Sequence, residues 1–477
     1  MKLITLIKKI VEKNPNEICI TKNGKSLTYK EFWKLCLMFS SYINLHSTKN
    51  KIVCIYEKDN FYDYIAIIGT LISGGTYVPL NKSMPDKKIK VILKKINPEF
   101  FFNGKNSFKD VKKINEKIFQ QNIKPKQSKK KLKLAYILFT SGTTGEPKGV
   151  KISRNALDHY AIWLKNNIKI KKKFKVSQIP SIGFDLSVSD IFSSLIVGGE
   201  LIIPNNDEMM FIGNYIKNQK IDHLVCTPST IDYIESSGQL LKKNLSSLKS
   251  IFFCGEVLYE YQLSRLFSIN NSLNIINAYG PTEATCSMSY VNLSFKNYRR
   301  YCNKTVSIGS PNRMMKMELI SNSPDNQNFG EIFISGPQLA EGYFKNQKET
   351  KKKFILIKNR KYYKTGDLAK KFKGNLYFVG RADNQIKLKG FRIELNEVDF
   401  YLIKFGFNKS YSIFLNSKII TFVQGKQQIS KKLKDYLKKN LEYYKIPQKI
   451  IKVKKFLLNK NGKIDTDYLK KKIRNEE

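Results

Sequence analysis

A short apolar run, Ala135, Tyr136, Ile137, Leu138 and Phe139, opens directly into Thr140-Ser141-Gly142-Thr143-Thr144-Gly145-Glu146-Pro147-Lys148-Gly149. No other stretch limits the possible folds as much. The run has the look of a buried strand, and glycines allow the turn after it positive φ and close approach to a ligand. Successive N–H groups can then converge on an anion. The hydroxyls of Thr140, Ser141, Thr143 and Thr144, with the Lys148 ammonium, suit phosphate oxygens because they donate without transferring a proton. The spacing is not the Walker pattern, since neither Gly142 nor Gly145 is followed five places on by Gly-Lys-Ser/Thr.

Upstream, residues 51–56 (KIVCIY) predict a buried strand, residues 62–72 a helix, and residues 74–80 (GGTYVPL) a turn and second strand. This alternation argues for an α/β fold with parallel sheets. The same pattern returns in residues 155–168 (helix), 197–204, 223–230, 251–258 and 275–285. Residues 104–133 are lysine-rich and weakly patterned, and are expected to form a variable surface segment. Asp185 stands in the run IGFDLSVSDIF, residues 182–192. A carboxylate buried there must pair within the protein or await a cationic ligand.

Residues 138–150 (LFTSGTTGEPKGV) resemble the phosphate loop of the adenylate-forming enzymes: acyl-CoA synthetases, luciferases and amino-acid adenylation domains. The resemblance extends over nearly the whole chain. LTYKEF (27–32) and GGTYVPL match two motifs of amino-acid adenylation domains and are read as scaffold. FCGEVL (253–258) resembles D-alanine–carrier-protein ligases, and IINAYGPTEAT (275–285), YKTGDL (363–368), VGRADNQIKLKGF (379–391) and LLNKNGKID (457–465) match later family motifs.

The resemblance implies a large N-terminal α/β domain, residues 1–382, of parallel and mixed sheets layered with helices. A small mobile α+β lid, residues 383–477, would follow, hinged at Asp383. It implies that Gly255 and Glu256 lie along the adenine, that Tyr279 stacks on it, and that Gly280 shapes the turn. Thr282 would donate to a phosphate, Glu283 would hold Mg²⁺, Asp367 would accept from the ribose hydroxyls, and Arg381 would contact ribose or phosphate. Lys463, singled out among many lysines by its place in NGKID, is the implied catalytic lysine, with Thr143 and Glu283 as further catalytic groups. The amino-acid pocket maps onto Asp185, Leu186, Ser189, Cys226, Phe252, Cys254, Ala278, Cys286, Ser287 and Lys463. Asp185 and Lys463 would clamp the ammonium and carboxylate. Cys254 and Leu186 agree with D-alanine, whereas Ser189, Ala278 and Cys286 are smaller than expected and imply a roomier floor.

The expected reaction is attack of a small amino acid's carboxylate on the α-phosphate of ATP. Transfer to a phosphopantetheine thiol would follow, with the KLKGF segment (387–391) serving the second step. The sequence ends soon after the Lys463 motif, so the thiol is expected on a separate carrier protein. Two other readings remain: an acyl- or aryl-CoA ligase, which has no use for Asp185, and a non-catalytic basic protein on the same fold.

Lys and Arg number 85 against 39 Asp and Glu, a formal charge of +46. The excess is mostly Lys, spread evenly, and no nucleic-acid motif accompanies it. An acidic acyl or peptidyl carrier protein is therefore a better expectation than nucleic acid. Seven cysteines, none in a CxxC pair, suit reduced thiols. The histidines His46, His159 and His223 are isolated in sequence, so no zinc site is expected. The start, MKLITLIKKIVEK, predicts an amphipathic helix rather than a signal peptide, and no apolar run is long enough for membrane insertion. A cytoplasmic enzyme is expected.

Overall fold

A computed structural model describes residues 1–104, 111–121, 123–126, 132–142, 146–168, 173–321, 328–383, 385–388, 390–457 and 464–474. The chain divides into two compact units. The first comprises Met1–Lys82, Lys95–Phe139 and Gly149–Ala382; the second comprises Ser83–Lys94, Thr140–Lys148 and Asp383–Glu477.

Two large sheets dominate the first unit. One runs in the order Ser310–Pro311, Ser289–Leu293, Asn274–Tyr279, Ser250–Phe253, His223–Cys226, Lys175–Ser177, Glu200–Ile203, Ile18–Lys22, Lys25–Thr28. From Asn274–Tyr279 to Ile18–Lys22 every pairing is parallel. The other orders Lys112–Ile114, Phe100–Phe102, Ile52–Tyr56, Thr76–Leu80, Leu134–Thr140 and Lys148–Ser153. Strands such as Thr76–Leu80 are buried at every residue, as parallel strands covered on both faces must be. A five-stranded antiparallel sheet includes Phe329–Ser335, Arg360–Phe372 and Asn375–Arg381.

LTYKEF is scaffold, for a visible reason. Thr28 accepts from the Glu31 N–H at 3.2 Å and Glu31 accepts from the Thr28 N–H at 2.8 Å. This capping box starts the helix Tyr29–His46, whose Phe32, Cys36 and Phe39 are buried. Within 104–133, the described stretch 112–120 is more regular than its composition suggests. Its Lys112–Ile114 extends the second sheet in parallel, and Ile114 and Ile118 are buried. Two inward isoleucines suffice to dock it, a signal hidden by the surrounding lysines. The N-terminal stretch is helical, Lys2–Lys13, and buries Leu3, Ile7 and Val11.

The second unit holds the hairpin Gln385–Leu388 and Phe391–Glu394, the helix Leu395–Phe405, the sheet Lys409–Leu415, Lys418–Gln424, Lys449–Lys452, and the helix Lys431–Asn440. No helix among the described residues is long and apolar enough to cross a membrane. All seven cysteines are free thiols.

Candidate active site

Open parallel sheets bind ligands beyond the carboxyl ends of their strands. In the first unit the predicted residues gather there. Cys254, Gly255 and Glu256 follow strand Ser250–Phe253, Ala278 to Glu283 close strand Asn274–Tyr279, and Asp185 follows strand Lys175–Ser177.

The turn after Tyr279 is built on close backbone approach. A Cβ on Gly280 would stand 2.6 Å from the Cα of Ser287 and 2.8 Å from the Cys286 carbonyl, so no other residue fits without moving main chain. Thr285 and Cys286 both take left-handed backbone, φ +58° and +74°. Single strained residues of this kind cost on the order of 1–3 kcal/mol and persist only where the surroundings hold them. Here the Thr285 hydroxyl donates to the Gln338 carbonyl at 2.7 Å, and the Met288 N–H returns to the Tyr279 carbonyl at 2.8 Å.

That turn carries three predicted residues. The Tyr279 hydroxyl donates to Asp367 Oδ2 at 2.6 Å. Burial first, and then the Asp367 charge, pushes that phenol well above its usual range. The Thr282 hydroxyl donates to Asp185 Oδ2 at 2.6 Å. Glu283 is 1% exposed and accepts from the Tyr343 hydroxyl at 2.7 Å. Tyr343, unmarked in the sequence reading, orients the Glu283 carboxylate. Arg381, cross-strand from Asp367, gives its Oδ1 a bond of 2.6 Å and reaches the Thr365 carbonyl at 3.1 Å. Both Asp367 oxygens thus already have a partner within the protein, and each retains lone-pair capacity for another donor.

Leu186, Phe252, Cys254, Ala278 and Cys286 belong to one continuous apolar cluster, with Ser189 and Ser287 fully buried. Burial, followed by Cys254 and then the Asp185 charge, drives the Cys286 thiol upward. Cys226 departs from expectation. It belongs to the other apolar cluster, with Phe253 and Ile251. It pairs in register with Phe253, and side chains alternate along strands, so it faces away from Phe252 and Cys254. Asp185 also differs: it is partly exposed, whereas Asp190 of the same run is fully buried. Asp190 accepts from the Ile191 N–H at 2.7 Å, its Oδ2 has no hydrogen-bond partner among the described residues, and burial holds the carboxyl well above its usual range. Helix periodicity separates the two residues: 190 lies inside Ser187–Leu195 and 185 before it.

A buried carboxylate ties down the loop three residues before Asp185. Glu57 accepts from the Ile182 N–H at 2.9 Å, the Ser181 hydroxyl at 2.5 Å and the Lys82 N–H at 3.2 Å. Burial outweighs these donors and raises the carboxyl to about 7. Sequence offered no sign of it, because two of its three partners, Ser181 and Ile182, lie more than a hundred residues downstream.

Within the second unit, the Thr140 hydroxyl donates to the Lys148 carbonyl at 3.4 Å and the Ser141 hydroxyl to the Arg392 carbonyl at 2.8 Å. A Cβ on Gly142 would run into the Glu146 carbonyl oxygen, so the loop requires glycine there. Lys148 is partly buried. Asp383, exposed at the first residue after the first unit, accepts from the Gln385 N–H at 3.3 Å. Thr143, Thr144, Gly145 and Lys463 lie outside the described residues.

The strand ends of this α/β unit thus present a Tyr-Asp-Arg cluster, a buried Glu and a carboxylate beside an apolar cluster. The family described as "AMP-binding enzyme" matches residues 7–344. The D-alanine--D-alanyl carrier protein ligase of Listeria innocua serovar 6a is 30% identical, covering 97% of this chain and 97% of its own. Its namesake from Staphylococcus aureus (strain JH9) is also 30% identical with the same coverage. The Vibrio cholerae adenylation domain AlmE, solved in complex with glycyl-adenosine-5'-phosphate, superposes with a TM-score of 0.86 at 22% identity, covering 99% of this chain and 98% of that one. The chain belongs to the AMP-binding enzyme family. It is an AMP-forming ligase of the adenylate-forming superfamily.

Proposed function

We propose that this chain activates a small neutral amino acid, D-alanine or one of similar size, as its adenylate and passes it to the phosphopantetheine thiol of a separate carrier protein. One observation carries the reading: the Asp185 carboxylate is fixed by the Thr282 hydroxyl beside an otherwise apolar cluster. A fatty or aryl acid has no use for an anion there, whereas an α-ammonium does. The 30% identity with D-alanine--D-alanyl carrier protein ligases over 97% of the chain supports the same choice.

Attack of a carboxylate on the α-phosphate brings two anions together, so the protein's task is positioning and charge stabilisation. Asp185 holds the ammonium. Tyr279 and Asp367 hold adenine and ribose, with Arg381 fixing the Asp367 carboxylate. Thr140, Ser141, Thr143, Thr144 and Lys148 grip the pyrophosphate side. Lys463 spans the substrate carboxylate and α-phosphate. Glu283, buried and oriented by Tyr343, would be the hard oxygen ligand for Mg²⁺, which would supply positive charge to the phosphate oxygens. The second unit pivots at Asp383 between adenylation and thiol transfer. The carrier is acidic, complementing the +46 charge, and the enzyme acts in the cytoplasm.

Asp185→Ala should abolish amino-acid-dependent ATP–pyrophosphate exchange; undiminished exchange would remove the amino-acid assignment. Lys463→Ala should lose adenylate formation yet still transfer a pre-made adenylate, and equal loss of both steps would contradict the pivot.

A further inference from the structure

A neighbouring helix packs an aromatic ring against the small residues Ser189, Cys286 and Ser287. Tyr160, on the helix Arg154–Asn167, is fully buried. Its hydroxyl lies 2.8 Å from Ser189 Oγ and 3.2 Å from Ser287 Oγ, and Ser189 Oγ lies 3.2 Å from Cys286 Sγ. Three of the positions matched to the amino-acid pocket are therefore linked through one phenol that is not itself among them. The ring is held in place. Trp163, one turn along the same helix, stacks on it at 5.6 Å and packs edge-on against Phe252 at 6.3 Å and Tyr290 at 5.0 Å.

We propose that Tyr160 is the floor of the amino-acid pocket and the residue that restricts the substrate to a side chain of about alanine's size. This rests on the amino-acid reading above. Asp185 lies just before the helix Ser187–Leu195 and Ser189 within its first turn, and the Asp185 charge bears on the Cys286 thiol, so a substrate held at Asp185 by its ammonium directs its side chain towards this hydroxyl cluster. A longer apolar side chain must displace the phenol and strip Ser189 and Ser287 of their hydrogen bonds in a dry site. Bulk and unsatisfied polar groups thus reject it together.

The test is ATP–pyrophosphate exchange with both enantiomers of alanine, 2-aminobutyrate and valine, using the full chain. Wild type should favour alanine. Tyr160→Leu, which removes the hydroxyl and shortens the side chain, should raise kcat/KM for 2-aminobutyrate and valine relative to alanine by roughly tenfold or more, with KM for ATP unchanged. If circular dichroism shows that this variant does not fold, Tyr160→Phe keeps the ring and its packing, and should still give a few-fold relative gain for 2-aminobutyrate. Unchanged ratios in a folded variant, or equal use of valine and alanine by wild type, would overturn the proposal. Exchange by wild type with no amino acid at all would instead overturn the amino-acid reading on which it stands.

Discussion

Two buried charge clusters, one in each unit, use the same chemistry to different ends. In the second unit Lys88 and Lys445 alternate with Glu397 and Glu442. Lys88 lies 2.9 and 2.8 Å from the two glutamates, and Lys445 lies 2.8 and 2.9 Å from them, all four side chains at most 6% exposed. Each charge faces two of opposite sign, and the square is closed. Burial alone would raise Glu442, but Lys445 and Lys88 prevail and bring it down to about 2. Burial would likewise lower Lys445, yet Glu397 and Glu442 hold it above its usual range. In the first unit Asp367 has one cation, Arg381, and one neutral donor, Tyr279, with Arg381 still 10% exposed. A closed square serves packing, whereas a carboxylate with one cation and one neutral donor retains lone-pair capacity for a ligand's hydroxyls.

The sharpest way to break this contrast is Lys445→Met. It leaves two buried glutamates sharing Lys88, which should lower unfolding free energy by about 3–5 kcal/mol in a denaturant titration. The acid limb should change too. Glu442 is depressed in the folded state, so its stabilisation is present above the ordinary carboxylate range and fades as pH falls towards about 2. The variant should lose that dependence, and a change below 1 kcal/mol would mean the square is not structural.

Asp367→Ala should show the opposite balance. Losing two hydrogen bonds to a charged acceptor should reduce kcat/KM for ATP in pyrophosphate exchange by about a hundredfold, with a smaller loss of stability than Lys445→Met. A larger loss of stability than of ATP use would erase the distinction.

Glu57 sharpens the comparison as a buried carboxylate held by neutral donors, and gives the smallest effect. Its carboxyl is raised to about 7, so its contribution is fully present below the unfolded value and is lost as pH rises through about 7. Wild type should therefore lose on the order of 2 kcal/mol between pH 4.5 and 7.5 from this group, and Glu57→Gln should flatten that part of the stability–pH curve. An identical curve in both proteins would assign the titration elsewhere.

Short stretches of sequence made much of the site legible. Gly280, Thr282 and Glu283 fall within four residues, and the turn they form is dictated by local sterics and strand-end geometry. Asp367 and Arg381 are cross-strand partners on adjacent strands of one sheet, close enough in the chain to be recognised as motifs. Cys226 was misplaced because motif spacing does not say which face of a strand a residue occupies, and a parity of one decides it. Tyr160, Glu57 and Tyr343 gave no signal, since each acts on a residue far away in the chain.

The sequence by itself determined the α/β alternation, the glycine-framed turns and which residues are candidates for the chemistry, because these depend on backbone freedom and side-chain chemistry within a few residues. Only the tertiary structure decided which side chains pack against the candidate pocket residues and which carboxylates are enclosed by opposite charges. Those properties belong to the space between elements, where a phenol from one helix packs against three small side chains on other segments.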